Sequence, residues 1–230
     1  MLTAVTGINW GDEGKGRVID LLAEHADIVV RYQGGNNAGH TVVNKQGKFV
    51  LNLLPSGILH PDVVCVLGDG MVIDLNHLSN EIAQIRTQDV SVSPKNLKLS
   101  TRATISMPWH KIQDELEEER LSKSGAAFGS TKRGIAYAYS DKYRKKTIRL
   151  GDLLHLDEEN VQARLKTMLE AKTLSLQAAI IRSLCLCQLF CHGAGRRLQN
   201  MHLISQISVH SLRMHYQRES VLYLKHSLVQ

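Results

Sequence analysis

The sequence predicts an α/β fold, a mainly parallel sheet with flanking helices. Three observations carry this. Residues 2–8 (LTAVTGI) form a short apolar run that ends at Gly7 and Gly11. Residues 14–24 place Val18, Leu21 and Leu22 at i, i+3 and i+4, the spacing of one helix face. Residues 27–32 (DIVVRY) are a second short run rich in β-branched residues. Strand, glycine loop, helix, strand is how a parallel α/β sheet opens.

The rest of the chain continues the pattern. Residues 34–41 (GGNNAGHT) read as a glycine- and amide-rich loop, 49–54 as a strand, and Pro55-Ser56-Gly57 as a turn. Residues 62–67 (DVVCVL) read as a strand halted by Gly68-Asp69-Gly70. A helix is expected over 75–87, with Leu75, Leu78, Ile82 and Ile85 at helical spacing. A charged helix is expected over 110–123, carrying Glu115, Glu117, Glu118 and Glu119. Residues 125–139 read as a loop and 157–174 as a helix opened by acids, with Val161, Leu165, Met168 and Leu169 on its apolar side. Beyond residue 176 no period holds.

The chain has 230 residues, 43% of them hydrophobic and 22% charged, enough for a globular core. No apolar run reaches the roughly 18 residues of a membrane span, and the N-terminal stretch lacks the basic and apolar regions of a signal peptide. The net charge of +6 is local: residues 1–170 are balanced, whereas 171–230 hold seven Lys and Arg against the single acid Glu219. A neutral body with a basic tail does not point to a nucleic-acid partner. The sequence therefore divides into residues 1–175 and an atypical basic tail, 176–230. In that tail Cys185, Cys187, Cys191 and His192 are crowded together, unlike the paired spacing of structural zinc sites, and read as a chance cluster.

Three segments carry chemistry. Gly11-Asp12-Glu13-Gly14-Lys15-Gly16-Arg17 lies between the first expected strand and helix. Such a loop offers backbone N–H groups and a helix N-terminus to an anion, and its lysine adds a mobile positive charge. It departs from the pattern G-x-x-x-x-G-K-[ST]: position 9 is Asn, and Gly16 stands where a hydroxyl would hold Mg²⁺. Asp12 can supply that missing hard oxygen ligand. The second segment, Gln33 to Thr41, combines glycines that allow close backbone approach with Asn37, which can read polar edges, and His40, an acid or base near neutral pH. The third is Phe128-Gly129-Ser130-Thr131-Lys132-Arg133-Gly134-Ile135 with the basic run 139–146 behind it. Its hydroxyls and cations suit a phosphate ester, although composition alone equally describes a flexible basic loop.

In this order the segments resemble the adenylosuccinate synthetases. The resemblance lies in WGDEGKG, VVRYQGGNNAGHTV, LLPSGIL, GSTKRGIA and YSDKYRKKTIRLGDL, between about residues 3 and 175. It implies a P-loop-like GTP-binding domain of a ligase. That ligase joins IMP to L-aspartate through 6-phosphoryl-IMP, on the route from IMP to AMP. It further implies GTP as co-substrate, one Mg²⁺ per subunit, a cytoplasmic homodimer, and no nucleic-acid or membrane partner. By resemblance Asp12 is the general base and His40 the general acid. Gly11, Asp12, Glu13, Gly14, Lys15, Gly16, Arg17, Gly39, His40 and Thr41 align with GTP contacts. Asp12, Glu13, Gly14, Lys15, Asn37, Ala38, Gly39, His40, Thr131 and Lys145 align with IMP contacts. Asp12 and the Gly39 carbonyl align with Mg²⁺ ligands.

The chain also departs from the family. Lys145 stands where the family has an arginine that reaches the partner subunit's IMP phosphate; Arg144 is adjacent. Lysine keeps the charge and loses the bidentate fork. Ala136-Tyr137 replaces a Gly-Pro. After residue 176 there is no Glu-Gly-Ala-Gln-Gly loop, no arginine-rich aspartate-binding loop and no Thr-Lys-x-Asp segment for guanine. The expectation is a chain truncated relative to the family. The competing expectation is a nucleotide-binding fragment without turnover.

Overall fold

The computed structural model describes residues 1–8, 14–44, 47–188 and 228–229, with side chains to residue 178. The chain forms two compact units. One contains residues 1–106, 149–151 and the strand at 228–229; the other contains 107–148 and 152–188.

The first unit is built on a parallel sheet. Helix α1 (Lys15–Ala23) is followed by strand β1 (Ile28–Gly34), the antiparallel hairpin β2 (His40–Asn44) and β3 (Gly47–Leu51), and a 3₁₀ turn at Ser56–Leu59. Strand β4 (Val64–Ile73), helix α2 (Leu75–Arg86), β5 (Leu97–Ser100) and β6 (Thr104–Ile105) complete it, with β7 (Leu228–Val229) pairing parallel to β5. The sheet order is β1-β4-β5-β7, and β6 continues alongside the end of β4. Leu67, Met71, Ile73, Leu97 and Leu99 are fully buried in this sheet, and Leu75, Leu78, Ile82 and Ile85 of α2 are buried at the expected spacing. Asp74 caps α2 by accepting the His77 N–H at 3.1 Å. Burial pushes the Cys65 thiol up to about 12, so this cysteine is unreactive.

Several expectations give way here. Residues 2–8 form no strand: they pair with none of the sheet strands and are largely exposed, so this short apolar run has no buried face to hold it extended. The apolar arc of α1 faces outward: Val18, Leu21 and Leu22 are exposed, while Gly16, Ile19, Asp20 and Ala23 pack inward at i, i+3, i+4 and i+7. Asp20 lies 3.3 Å from His60 Nε2 on that inner side. Strand β4 does not stop at Gly68. It runs on to Ile73 through a bulge, and a side chain at Gly70 would collide with the Tyr32 carbonyl. Strand β3 ends at Leu51 rather than 54, because the next three backbone N–H groups turn to Glu81.

The second unit is helical. Helix α3 (Pro108–Lys123) leads into a loop, then α4 (Ile135–Tyr143), a 3₁₀ turn ending at His155, and α5 (Glu159–Gln188). The loop expected over 125–139 thus closes at Gly134, whose φ of 73° starts α4. Helix α5 runs past the expected end at 174. Among the described residues no helix is long and apolar enough to cross a membrane.

Buried polar groups tie the three helices together. His110 Nδ1 accepts the Met107 N–H at 3.0 Å, so its proton sits on Nε2 and is donated to Asp141 at 3.1 Å. Lys172 Nζ meets the same carboxylate at 2.6 Å. Burial holds the His110 pKa below its ordinary value, even though Asp141 pulls it upward. Burial alone would raise the Asp141 carboxyl, but the hydrogen bonds from His110 and Lys172 outweigh it and hold the pKa low. A histidine depressed on folding contributes stability that is complete above its unfolded pKa of about 6.5 and is lost as pH falls toward the folded value. The urea midpoint of the chain should therefore drop between pH 7 and pH 5, and His110→Gln should flatten that drop. Equal slopes for both proteins would show that His110 does not stay neutral on folding.

Candidate functional site

Helix α1 starts from Gly14, whose φ of 73° only glycine adopts without strain. The Gly14 carbonyl accepts the Arg17 and Val18 N–H groups at 3.0 and 3.2 Å, and no side chain among the described residues caps the helix. Its first turn carries exposed Lys15 and Arg17 around half-buried Gly16.

His40, the first residue of β2, lies against that turn. A Cβ on Gly16 would sit 2.7 Å from the His40 ring carbons Cγ and Cδ2 and 2.8 Å from its Cβ. The ring takes the space a side chain would need, which is why glycine rather than a hydroxyl residue stands at 16. His40 Nε2 is 3.1 Å from Ser56 Oγ, and Ser56 Oγ donates to the Gly16 carbonyl at 3.0 Å. A hydroxyl has one proton, and the carbonyl takes it. Ser56 must then accept from His40, which places the imidazole proton on Nε2. Burial, then the Arg31 guanidinium, lower the His40 pKa, and Asp20 partly opposes them.

The loop before His40 is held from below. Arg31 donates to the Gly35 carbonyl at 3.0 Å and to the Asn52 carbonyl. Buried Asn36 reaches Asp74 Oδ2 at 3.3 Å. Asn52 Oδ1 pairs with His77 Nε2 at 3.2 Å, and its Nδ2 touches the Ala38 carbonyl. A Cβ on Gly39 would meet Asn52 Nδ2 at 2.5 Å, so a side chain here would displace the Asn52 amide. Asn37, Ala38, Gly39 and Thr41 are left exposed. The supporting residues Arg31, Asn52, Ser56, Asp74, His77 and Glu81 were not legible as site residues. The only signal was their nearness to the glycine loop or, at the start of α2, polar residues at i, i+3 and i+7.

Gly14, Lys15, Gly16, Arg17, Asn37, Ala38, Gly39, His40 and Thr41 thus share the first unit, and Gly16 and His40 are in direct contact. Gly11, Asp12 and Glu13 lie outside the described residues. Thr131 and Lys145 belong to the second unit and are exposed there. Lys145 has a φ of 59° just past the end of α4. There its N–H bonds the Lys142 carbonyl at 3.1 Å and the Lys146 N–H bonds the Asp141 carbonyl at 2.8 Å, the closing pair of a helix end that usually uses glycine. The side chains of Cys185, Cys187, Cys191 and His192 lie outside those described, and no cluster of three metal-binding side chains occurs among the described residues.

The fold is that of a parallel α/β protein with a glycine loop opening its first helix. A sequence profile for adenylosuccinate synthetase matches residues 4–210. The chain is 49% identical over 168 residues to an adenylosuccinate synthetase of Heliobacterium modesticaldum, covering 73% of this chain and 38% of that protein. It is 51% identical over 174 residues to adenylosuccinate synthetase 2 of Pseudoalteromonas translucida, covering 76% and 40%. The structure of fully ligated adenylosuccinate synthetase from Plasmodium falciparum superposes with a TM-score of 0.63 at 33% identity, over 92% of this chain and 44% of that one. The chain belongs to the adenylosuccinate synthetase family, and it spans about 40% of the length of the curated relatives it matches.

Proposed function

We propose that this chain carries the phosphate-handling part of a GTP-dependent ligase that joins IMP and L-aspartate into adenylosuccinate. The observation that supports it best is the contact chain His40–Ser56–Gly16, which sets an imidazole of defined tautomer against the first turn of an anion-suited helix. In this reading the Asp12 carboxylate takes the N1 proton of IMP. The 6-oxygen then attacks the γ-phosphorus of GTP, the bond to the bridging oxygen breaks, and GDP leaves. The amine of aspartate displaces the phosphate from C6. His40, protonated as a bound phosphate raises its pKa, donates a hydrogen bond toward the transferred group. Lys15 and the first-turn N–H groups of α1 hold phosphate oxygens. The donors available for Mg²⁺, the Asp12 carboxylate and the exposed Gly39 carbonyl, are the hard oxygens this ion takes. When bound, it would neutralise charge on the phosphates.

Residues 1–175 form the nucleotide- and IMP-binding region, and Thr131 meets the IMP phosphate. In a cytoplasmic homodimer, Lys145 or its neighbour Arg144 reaches the IMP phosphate of the partner. The share of the relatives that the chain spans favours a second reading, a nucleotide-binding portion without turnover on its own. The assay is phosphate release from GTP that depends on both IMP and aspartate. Asp12→Asn and His40→Asn should each lower it by at least about a hundredfold, the scale of losing a general acid or base. Near-wild-type turnover in either variant refutes the assigned roles. Release that is absent from the wild-type chain while GTP still binds establishes the second reading.

A further inference from the structure

The loop that bears Thr131 rests on two buried carboxylates. Asp114 and Glu118 are one turn apart on α3 and each is only 8% exposed. Asp114 Oδ1 accepts the Ser130 hydroxyl at 2.6 Å, and its Oδ2 accepts the Gly134 N–H at 2.8 Å. Glu118 Oε1 accepts the Gly129 N–H at 2.8 Å. Ser130 Oγ in turn accepts the Lys132 N–H at 3.1 Å. Gly129, Lys132 and Gly134 all have positive φ, between 55° and 73°, so the loop follows a path that most residues resist. Thr131, Lys132 and Arg133 are left exposed on its outer side.

Acids directly beneath a phosphate-binding loop would repel the ligand if they faced it. Here both oxygens of Asp114 and Oε1 of Glu118 are engaged by the loop's own donors, and Lys132 and Arg133 are exposed. We infer that Asp114 and Glu118 are positioning residues for a phosphate-monoester subsite formed by residues 129–134. Asp114 does most of this, because one carboxylate grips both ends of the turn around Thr131. Only a carboxylate can do so, since an amide would present its NH₂ to one of the two donors. The inference rests on the reading that this loop receives the phosphate of IMP.

The test compares IMP with inosine in titrations of the full chain, so that the ratio of their dissociation constants isolates the phosphate. Asp114→Asn should shrink that ratio by about tenfold and leave inosine binding unchanged, and Ser130→Ala, which spares the carboxylate, should shrink it less. Glu119→Gln makes the same charge change on the exposed side of α3 and should leave the ratio alone. A purely structural role for Asp114 would weaken both ligands together and overturn the inference. Thr131→Val separates the two levels. If it shrinks the ratio and Asp114→Asn does not, the phosphate reading stands and the positioning role is wrong. If Asp114→Asn shrinks the ratio and Thr131→Val does not, the positioning role stands and phosphate contact by Thr131 is wrong. Equal binding of IMP and inosine by the wild-type chain overturns both.

Discussion

Gly134→Ala should destabilise the helical unit by about 3 kcal/mol or more. Gly134 sits at the entry to α4 with a φ of 73°, a conformation that costs an L-residue about 1–2 kcal/mol. Space is the larger obstacle. A Cβ there would lie 2.6 Å from the Lys111 nitrogen and 2.7 Å from the His110 oxygen, and would overlap the His110 carbonyl carbon. These are backbone atoms of α3 and cannot rotate aside, so overpacking adds about 1–3 kcal/mol. Gly129 is the internal control. Its φ is 72°, but nothing lies within 4 Å of an added Cβ, so Gly129→Ala should lose only the conformational part. Urea midpoints for the two variants check this. Equal losses would mean that α4 does not start against the backbone of α3.

Gly134 also shows what the sequence could and could not say. The run Gly-Ser-Thr-Lys-Arg-Gly marks a loop, and the helices on either side were partly legible from charge and period. That Gly134 begins a helix was not, because the reason is the distance to a backbone more than 20 residues earlier in the chain. The same division holds in the first unit. The apolar spacing of α2 translated directly into burial, since its contacts follow from one helix period. The apolar arc of α1 did not: Gly16 and Asp20 are turned inward by His40 and His60, partners that periodicity cannot see. For the candidate site, the glycine loops and His40 were visible as residue types. The parts that hold them are ordinary polar residues whose roles exist only through long-range hydrogen bonds. Ser56 is 16 residues from His40 and 40 from Gly16. Asp114 and Glu118 looked like any acids on a charged helix until their oxygens met Gly129, Ser130 and Gly134.

Glu81→Ala should be the most damaging change in the first unit. The Glu81 carboxylate, 4% exposed, accepts three consecutive backbone N–H groups: Asn52 at 2.8 Å, Leu53 at 2.9 Å and Leu54 at 3.2 Å. Three successive donors on one side of a chain cannot belong to a strand, and this carboxylate is why β3 ends where it does. Leu53 and Leu54 are themselves fully buried, so water cannot readily replace the lost acceptor. Each orphaned donor costs about 1–3 kcal/mol, though water entering the new cavity recovers part of the sum. The net loss should be about 3–5 kcal/mol, the range for breaking a buried charged network. Glu81→Gln should fall between alanine and wild type, because its amide oxygen can keep some of the bonds while its NH₂ opposes a donor. The damage should reach the candidate site, since Asn52 touches the Ala38 carbonyl and Ser56, four residues on, holds His40. Two measurements decide it together: the urea midpoint, and amide hydrogen exchange at Leu53 and Leu54. A fall in midpoint with unchanged protection at those two amides would mean that Glu81 stabilises α2 rather than the segment carrying Ser56. Loss of protection confined to residues 52–56 is the expected pattern, because the carboxylate joins the backbone of that segment to α2.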